Sequence, residues 1–110
     1  MEITFADGKL QKLCEQEKIA QKELGQPCAR KLKARLANLE NVDVVTELTA
    51  GRPHPLKGDR LGQFALDLEG GRRLVLEANN EPIPFREDGG VDWSKVTQVK
   101  IVFVGNYHGD

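Results

Sequence analysis

The fold of this chain is decided by the stretch QFALDLEGGRRLVLEA, residues 63–78. Its first half alternates Phe64, Leu66 and Leu68 with small or polar side chains, which is the period of a strand with one buried face. The pair Gly70-Gly71 then supplies a two-residue turn that tolerates positive φ, and an apolar strand returns. We therefore predict an antiparallel hairpin over these residues.

The turn also predicts which residues face each other in the hairpin. With a two-residue turn at Gly70-Gly71, Leu68 faces Arg73, so Arg73 would share a face with the apolar residues of the first strand. A cation on that face lies at the rim of the sheet or points into a cleft. The alternative for Arg73 is an ion pair with Glu77 or Asp67.

Helices are predicted before the hairpin. Residues 1–5 alternate like a strand, and Asp7 is a suitable N-cap for a helix, interrupted or continuous, that runs to Leu24. Gly25 suits the C-terminus of that helix, and Pro27 suits the first turn of the next one. Two helices joined by so short a turn predict an antiparallel helical hairpin.

A further strand is predicted after the hairpin. Residues 96–104 are the most hydrophobic segment of the chain, which indicates a central strand. Strict alternation would place Val99, Ile101 and Phe103 on one face. A short third helix is predicted within 42–48. The order of the main elements is β-α-α-β-β-β. The predicted fold is α+β, with the helical hairpin packed on a twisted antiparallel sheet.

Size and composition predict one domain spanning 1–110. The chain has 110 residues, 39% hydrophobic and 30% charged, which is typical of a compact domain. No apolar run approaches the roughly 18 residues of a membrane helix, and the N-terminus lacks the pattern of a secretory signal. We therefore expect a cytoplasmic protein. Cys14 and Cys28 are expected to be core residues, and no ligand spacing indicates a metal or other cofactor.

Charge is distributed unevenly along the chain. The net charge is −1, but residues 25–39 carry four cations and no acid, whereas 77–92 are strongly acidic. Arg30 and Lys33 in the basic segment are candidate RNA contacts. A nearly neutral protein binds free RNA weakly, so an RNA-directed protein of this charge would need its substrate held by something else.

Two short phrases hold the residues that can move protons. The phrase HPLKGDR begins at His54, and Asn106-Tyr107-His108 follows the last predicted strand; together they contain both histidines and the single tyrosine. Two imidazoles with nearby cations can transfer protons at a phosphodiester and stabilise its extra negative charge. Lys57 and Arg60 are the cations of the first phrase. The alternatives are a surface loop with solvated charges and a frayed C-terminal tail.

Blocks along the whole chain resemble the HigB-like proteic killer toxins of the RelE/ParE superfamily. The blocks are MEITFAD (1–7), HPLKGDR (54–60), GQFALDL (62–68), RRLVLE (72–77) and EDGGVDWSKV (87–96). The resemblance implies a small toxin of a type II toxin-antitoxin system that cleaves messenger RNA on the translating ribosome. It implies a helix-turn-helix (HigA-like) antitoxin as partner, operator DNA bound only through that antitoxin, and no role for a membrane.

The resemblance also implies the residues of the active site. His54, Tyr107 and His108 match the family's positions, and Arg73 matches a strand arginine used near phosphate. Asn106 stands where many members have Asp, and an amide cannot act as a carboxylate base. The implied mechanism is attack by the ribose 2′-hydroxyl, with His54 and His108 as the proton-transfer pair, Arg73 stabilising charge and Tyr107 stacking or orienting.

Two other functions remain open from the sequence. The same superfamily includes ParE-like toxins, which bind DNA gyrase and cleave no RNA; the paired histidines favour the ribonuclease. The replacement at Asn106 leaves room for an inactive relative that only binds an antitoxin.

Overall fold

A computed structural model describes residues 1–106 of the chain. Three helices are followed by most of a five-stranded sheet, and short 3₁₀ turns occupy 45–47, 58–60, 69–71 and 93–95. The elements in chain order are β1 (Glu2–Phe5), α1 (Gly8–Glu15), α2 (Glu17–Leu24), α3 (Gln26–Asn41), β2 (His54–Pro55), β3 (Gln63–Asp67), β4 (Arg73–Ala78) and β5 (Gln98–Gly105).

The α+β class predicted from the sequence is confirmed, and the sheet differs from the prediction in two respects. The strands lie in the order β1-β5-β4-β3-β2. Strands β3, β4 and β5 pair antiparallel, as predicted, but β1 runs parallel to β5, so the sheet is mixed. The second difference is β2, which was not among the predicted strands and pairs antiparallel with β3 at the edge of the sheet. The helices connect β1 to β2 and cross one side of the sheet. The parallel pair of β1 and β5 therefore joins the first and the last strand of the described residues.

The helical part follows its local signals. The side chain of Asp7 accepts a hydrogen bond from the backbone N–H of Leu10 at 2.8 Å, as an N-cap does. Gln16 adopts an extended conformation and divides the first helical region into α1 and α2. Gly25 has φ +82°, and Pro27 lies in the first turn of α3. The predicted helical hairpin is therefore formed by α2 and α3. The short helix predicted within 42–48 is a single 3₁₀ turn, Val45–Glu47.

One face of the sheet is covered by the helices and contains the core. Leu66, Leu74, Leu76 and Ile101 of the sheet are fully buried in one cluster with residues of α2 and α3. Burying about 100 Å² or more of apolar surface per such side chain contributes roughly 2–3 kcal/mol each. We call this the helix-covered face.

The β3–β4 hairpin has a register one residue away from the predicted one. Asp67, not Leu68, pairs with Arg73, because the turn takes three residues, 69–71, rather than two. A slip of one residue moves a side chain to the other face of a strand. Arg73 therefore lies on the face away from the helices, opposite Asp67, and the predicted position of Arg73 beside Leu68 is wrong.

Strand β5 contains a β-bulge that the sequence pattern does not show. Leu76 pairs with Ile101, but the next residue, Val75, pairs with Phe103, so Val102 is the extra residue. The prediction that Phe103 shares a face with Ile101 is therefore wrong. Its ring lies on the face opposite the helices, and Val104 takes the place on the helix-covered side.

Candidate active site

A row of four side chains crosses the sheet on the face opposite the helices. His54 pairs with Ala65, Ala65 with Val75, and Val75 with Phe103, so all four project to this side. Ala65 and Val75 are fully buried, yet neither belongs to the core cluster under the helices. Three strand spacings separate His54 from Phe103, about 14 Å. Charged side chains border this row, and we call the whole surface the charged trough.

His54 is held by its own strand. Gly51 and Arg52 both have positive φ, +83° and +48°, which turns the chain sharply before Pro53. The imidazole Nδ1 of His54 lies 2.7 Å from the carbonyl oxygen of Arg52. Because a carbonyl oxygen only accepts, Nδ1 donates this bond, and the neutral ring carries its proton there. Nε2 accepts no hydrogen bond from residues 1–106 and is the nitrogen that can exchange a proton.

Arg73 forms an ion pair in the trough. Its Nε lies 2.9 Å from Asp67 Oδ1, and its Nη1 donates to the carbonyl oxygen of Gly71 at 2.8 Å. The second carboxylate oxygen of Asp67, Oδ2, accepts from Arg52 Nε at 2.9 Å. The Arg73 side chain is 14% exposed and that of Arg52 is 68% exposed, so the pair with Arg73 is the better shielded from water.

A second polar chain borders the row on its other side. Arg60 donates from Nη1 to Gln63 Oε1 at 3.0 Å, and Gln63 donates from Nε2 to Glu77 Oε2 at 3.0 Å. Lys100 Nζ lies 4.0 Å from Glu77. The guanidinium of Arg60 also lies over the Phe103 ring, with its carbon 4.6 Å from the ring centroid, at cation–π distance.

Among residues 1–106, the trough has more positive than negative charge. Within this range, four cations stand against two carboxylates: Arg52, Arg60, Arg73 and Lys100 against Asp67 and Glu77. Such an excess of positive charge attracts anions. This local charge contrasts with the net charge of −1 for the whole chain.

The structure brings together some of the residues predicted for the site. His54, Arg73 and Arg60 share the trough, while Lys57 lies at the exposed start of the 58–60 turn. Arg30 and Lys33 are exposed on α3, in the layer that covers the other face, and Lys33 Nζ lies 3.9 Å from Glu17. These last two are therefore not part of the same surface.

The predicted pair Tyr107 and His108 lies outside the described residues. Strand β5 ends at Gly105, and the exposed Asn106 brings its side-chain nitrogen to within 3.6 Å of the position that a Cβ on Gly71 would take. Gly71 is also the residue whose carbonyl binds Arg73. Asn106 is thus next to the Arg73 end of the trough.

Sequence reasoning missed Asp67, Glu77 and Phe103 as residues of this surface. The sequence pattern indicates Asp67 and Glu77 only as ion-pair partners of Arg73, and it predicts Phe103 on the same face as Val99 and Ile101. The correct hairpin register would have identified both acids, because it puts Gln63, Asp67 and Glu77 on one face. No sequence signal marks the bulge at Val102.

A groove lies on the helical side, between β1, α1 and α3. Its volume is about 460 Å³, and it is lined by Ile3, Phe5, Cys14, Glu15, Lys33, Leu36, Ala37 and Glu40. Burial there raises the pKa of the Cys14 thiol to about 12, and the Glu15 carboxylate adds to the shift. A thiol with such a pKa is protonated and unreactive at neutral pH.

Two further findings concern residues 1–106. No three histidine, cysteine, aspartate or glutamate side chains converge closely enough to bind a metal ion together. Within the same range, no helix is both long and apolar enough to cross a bilayer.

Comparison with known proteins gives a structural likeness and no match by sequence. No family model matches the chain, and no curated protein matches it either. Among similar solved structures is a chain described as a YoeB/ParE toxin from Agrobacterium tumefaciens, with a TM-score of 0.61. The alignment covers 98% of this chain and 100% of that one at 13% identity. The fold is thus that of a YoeB/ParE-type toxin.

Proposed function

We propose that this chain is the toxin of a type II toxin-antitoxin system and acts as a metal-independent endoribonuclease on messenger RNA. The observation that carries the proposal is the placement of His54 and Arg73 on one face of the sheet, in a trough with excess positive charge. The likeness to a YoeB/ParE toxin supports the toxin assignment through the fold. A proton-transfer group beside a cation is the minimum that phosphodiester cleavage requires.

The reaction is an internal transesterification. A base removes the proton of a ribose 2′-hydroxyl, and the 2′-oxygen attacks the adjacent phosphorus. The bond from phosphorus to the 5′-oxygen breaks, an acid protonates that oxygen, and the products are a 2′,3′-cyclic phosphate and a 5′-hydroxyl. His54 acts through Nε2, because Nδ1 is committed to the Arg52 carbonyl. His108 is the second proton-transfer group.

The other site residues stabilise charge and hold the substrate. Arg73 interacts with the phosphate as negative charge accumulates, and its planar guanidinium can donate two parallel hydrogen bonds to it. Lys57 and Arg60 bind the RNA backbone near the site, and Tyr107 stacks on or orients a base. Arg30 and Lys33 are proposed as contacts on a separate surface, since they project from the helical layer.

The near-neutral charge of the chain supports a substrate presented by the ribosome. Affinity for free RNA depends on phosphate contacts made by Lys and Arg. In this protein, 16 lysines and arginines are balanced by 17 aspartates and glutamates. Binding to a ribosome that already holds messenger RNA would supply the missing affinity. A HigA-like helix-turn-helix antitoxin would neutralise the toxin in the cytoplasm, and operator DNA would be bound only by that antitoxin.

The test is controlled expression in bacteria, with new RNA 5′ ends mapped across the transcriptome. Wild type is compared with His54→Ala and His108→Ala, and with Thr46→Ala as a matched control, since Thr46 is exposed and lies in the 45–47 turn, outside the strands that form the trough. We expect cuts inside translated reading frames in wild type and the control, and their loss in both histidine variants. Growth arrest without such cuts would contradict the nuclease and indicate a bound target such as DNA gyrase. Absence of arrest would indicate an inactive relative that only binds an antitoxin.

A further inference from the structure

We propose that Asp67 is a positioning residue that fixes both His54 and Arg73 in the trough. The catalytic part of this inference rests on the ribonuclease function proposed above, whereas its structural part does not. Asp67 does not itself need to touch the RNA. It acts through two arginines, one bound to each oxygen of its carboxylate.

The two oxygens of the Asp67 carboxylate contact two different arginines. Oδ1 lies 2.9 Å from Arg73 Nε, and Oδ2 accepts from Arg52 Nε at 2.9 Å. Arg73 is further fixed by its bond to the carbonyl of Gly71. The contact between Arg73 Nε and Asp67 Oδ1 is an ion pair without hydrogen-bond geometry. It holds the Arg73 guanidinium next to Asp67, and the hydrogen bond to Gly71 orients it, which decides which phosphate oxygens it can reach.

A single residue, Arg52, links Asp67 to His54. Arg52 binds Asp67 with its guanidinium and accepts the Nδ1 proton of His54 with its carbonyl oxygen. Arg52 is also the one residue other than glycine in 1–106 with a positive φ, +48°. A left-handed conformation is strained for an L-residue and persists only where other contacts impose it. The ion pair with Asp67 is such a contact.

The backbone of Asp67 holds the same segment. Its N–H donates to the carbonyl oxygen of Gly51 at 2.6 Å, and its own carbonyl accepts from Arg35 Nε of α3 at 3.4 Å. The chain entering β2 is thus tied to β3 by one main-chain bond and one ion pair at the same residue. Replacing only the side-chain charge leaves the main-chain bond in place, which makes Asp67→Asn an informative variant.

The first experiment follows the tautomer of His54 by ¹⁵N NMR of the ring nitrogens, in the full chain above the pH at which the ring titrates. His54→Ala identifies the His54 signals. In wild type we expect a protonated Nδ1 and an unprotonated Nε2, with well-separated shifts. In Asp67→Asn the two shifts should move toward each other, because the Nδ1 acceptor is no longer held. Unchanged shifts in Asp67→Asn would overturn the proposal.

A matched control is available in the loop after β4. Asp88 also pairs with an arginine, Arg86, at 3.0 Å, but it is exposed and far along the chain from the trough. Asp88→Asn should leave the His54 shifts as in wild type. If Asp67→Asn does not fold, Arg52→Gln replaces it, since that variant keeps the Asp67–Arg73 pair and the carbonyl at position 52. It should disturb His54 in the same way, and failure to do so would overturn the proposal.

The second experiment measures cleavage of messenger RNA on purified translating ribosomes. We expect kcat for Asp67→Asn to fall on the order of 10- to 100-fold with little change in KM, because misplacement of groups that act in the transition state affects kcat. Asp88→Asn should cleave at the wild-type rate, and equal rates for all three proteins would contradict the catalytic part. If wild type itself cuts no RNA, the proposed function fails, while the NMR comparison still decides the role of Asp67.

Discussion

Phe103 faces Val75 across a β-bulge, and this pairing puts its ring on the opposite side of the sheet from Ile101. A single extra residue, Val102, thus converts a core position into a position of the trough. There the ring lies beneath the guanidinium of Arg60 at 4.6 Å. The bulge therefore adds an aromatic surface to a site that also carries the imidazole of His54.

We expect Arg60 and Phe103 to stabilise each other. A double-mutant cycle with Arg60→Gln and Phe103→Leu should give a coupling free energy of about 0.5–1 kcal/mol, which is typical of a partly exposed cation–π pair. Urea unfolding measures the four free energies. The same cycle with Phe5→Leu, on the helix-covered face, should give a coupling near zero. Equal coupling in both cycles would mean that the Arg60 contact is not specific.

Charge-reversal variants in the trough and in the helical layer should have different effects on cleavage. On the ribonuclease function proposed above, Arg60→Glu should lower kcat/KM for ribosome-bound messenger RNA by at least about tenfold, because it places a negative charge on the surface proposed to bind phosphate. Arg30→Glu should alter binding at low salt and leave kcat unchanged, since Arg30 projects from α3. Single-turnover cleavage at two salt concentrations distinguishes the two effects. A fall in kcat for Arg30→Glu would place α3 at the reaction.

Gly51 should not tolerate a side chain. A Cβ there would lie 2.6 Å from Arg35 Nε and 3.2 Å from the Asp67 carbonyl oxygen, at φ +83°. Gly58 has φ +62° with nothing within 4 Å of the corresponding Cβ, so Gly58→Ala measures the backbone strain alone, about 1–2 kcal/mol. Gly51→Ala should lower the free energy of unfolding by a further 1–3 kcal/mol or so, from overpacking. Chemical unfolding of both variants tests the difference, which a similar loss in each would contradict.

The core should depend on Leu66. This side chain is fully buried between the sheet and the helices, so Leu66→Ala should lower the free energy of unfolding by about 2–5 kcal/mol. Leu61→Ala removes the same atoms from a residue that is 79% exposed, and should change it by less than about 0.5 kcal/mol. Equal urea midpoints for the two variants would show that the helix-covered face is not the core.

Cys14 should react slowly with alkylating reagents. With its pKa raised from 9.0 to about 12 by burial, alkylation by iodoacetamide at pH 8 should be on the order of 100- to 1000-fold slower than for a free thiol. Mass spectrometry of the alkylated peptide measures it. Rapid alkylation of the folded protein at pH 8 would contradict the shielded environment.

The same shift makes stability depend on pH. The folded state holds the Cys14 proton more tightly than the unfolded chain does, so the proton contributes to the free energy of unfolding. This contribution is complete below pH 9 and is lost as the pH rises through about 12. Cys14→Ala should remove that part of the slope of unfolding free energy against pH. An unchanged slope in the variant would assign the effect to other groups.

The sequence predicted the elements well because they depend on local signals. Asp7 as a cap, Gly25 with Pro27 at the turn between helices, and the alternation of β3 each act within a few residues. The parallel pairing of β1 was not predicted, since nothing within residues 1–5 specifies which strand they will join. The fold class was nevertheless correct, because helix and strand periods differ along the chain.

The site was predicted less completely, and the reason is register. His54 was identified because two prolines and a basic turn surround it, whereas Asp67 was considered only as a partner for Arg73. Whether the glycine pair forms a two- or three-residue turn changes the face of every side chain in the hairpin. That choice depends on how β4 fits against β5, which local sequence does not contain. Tyr107 and His108 remain predictions.

The position of β5 between β1 and β4 has a consequence for when the trough is completed. Glu2 pairs with Gln98, so closing this part of the sheet joins residues far apart in the chain, which slows folding relative to local contacts. Phe103 and Lys100 of the trough both come from β5. During synthesis, a nascent chain whose residues 98–105 have not yet left the ribosome therefore lacks this side of the trough. On the function proposed above, the site would be complete only after β5 has joined the sheet.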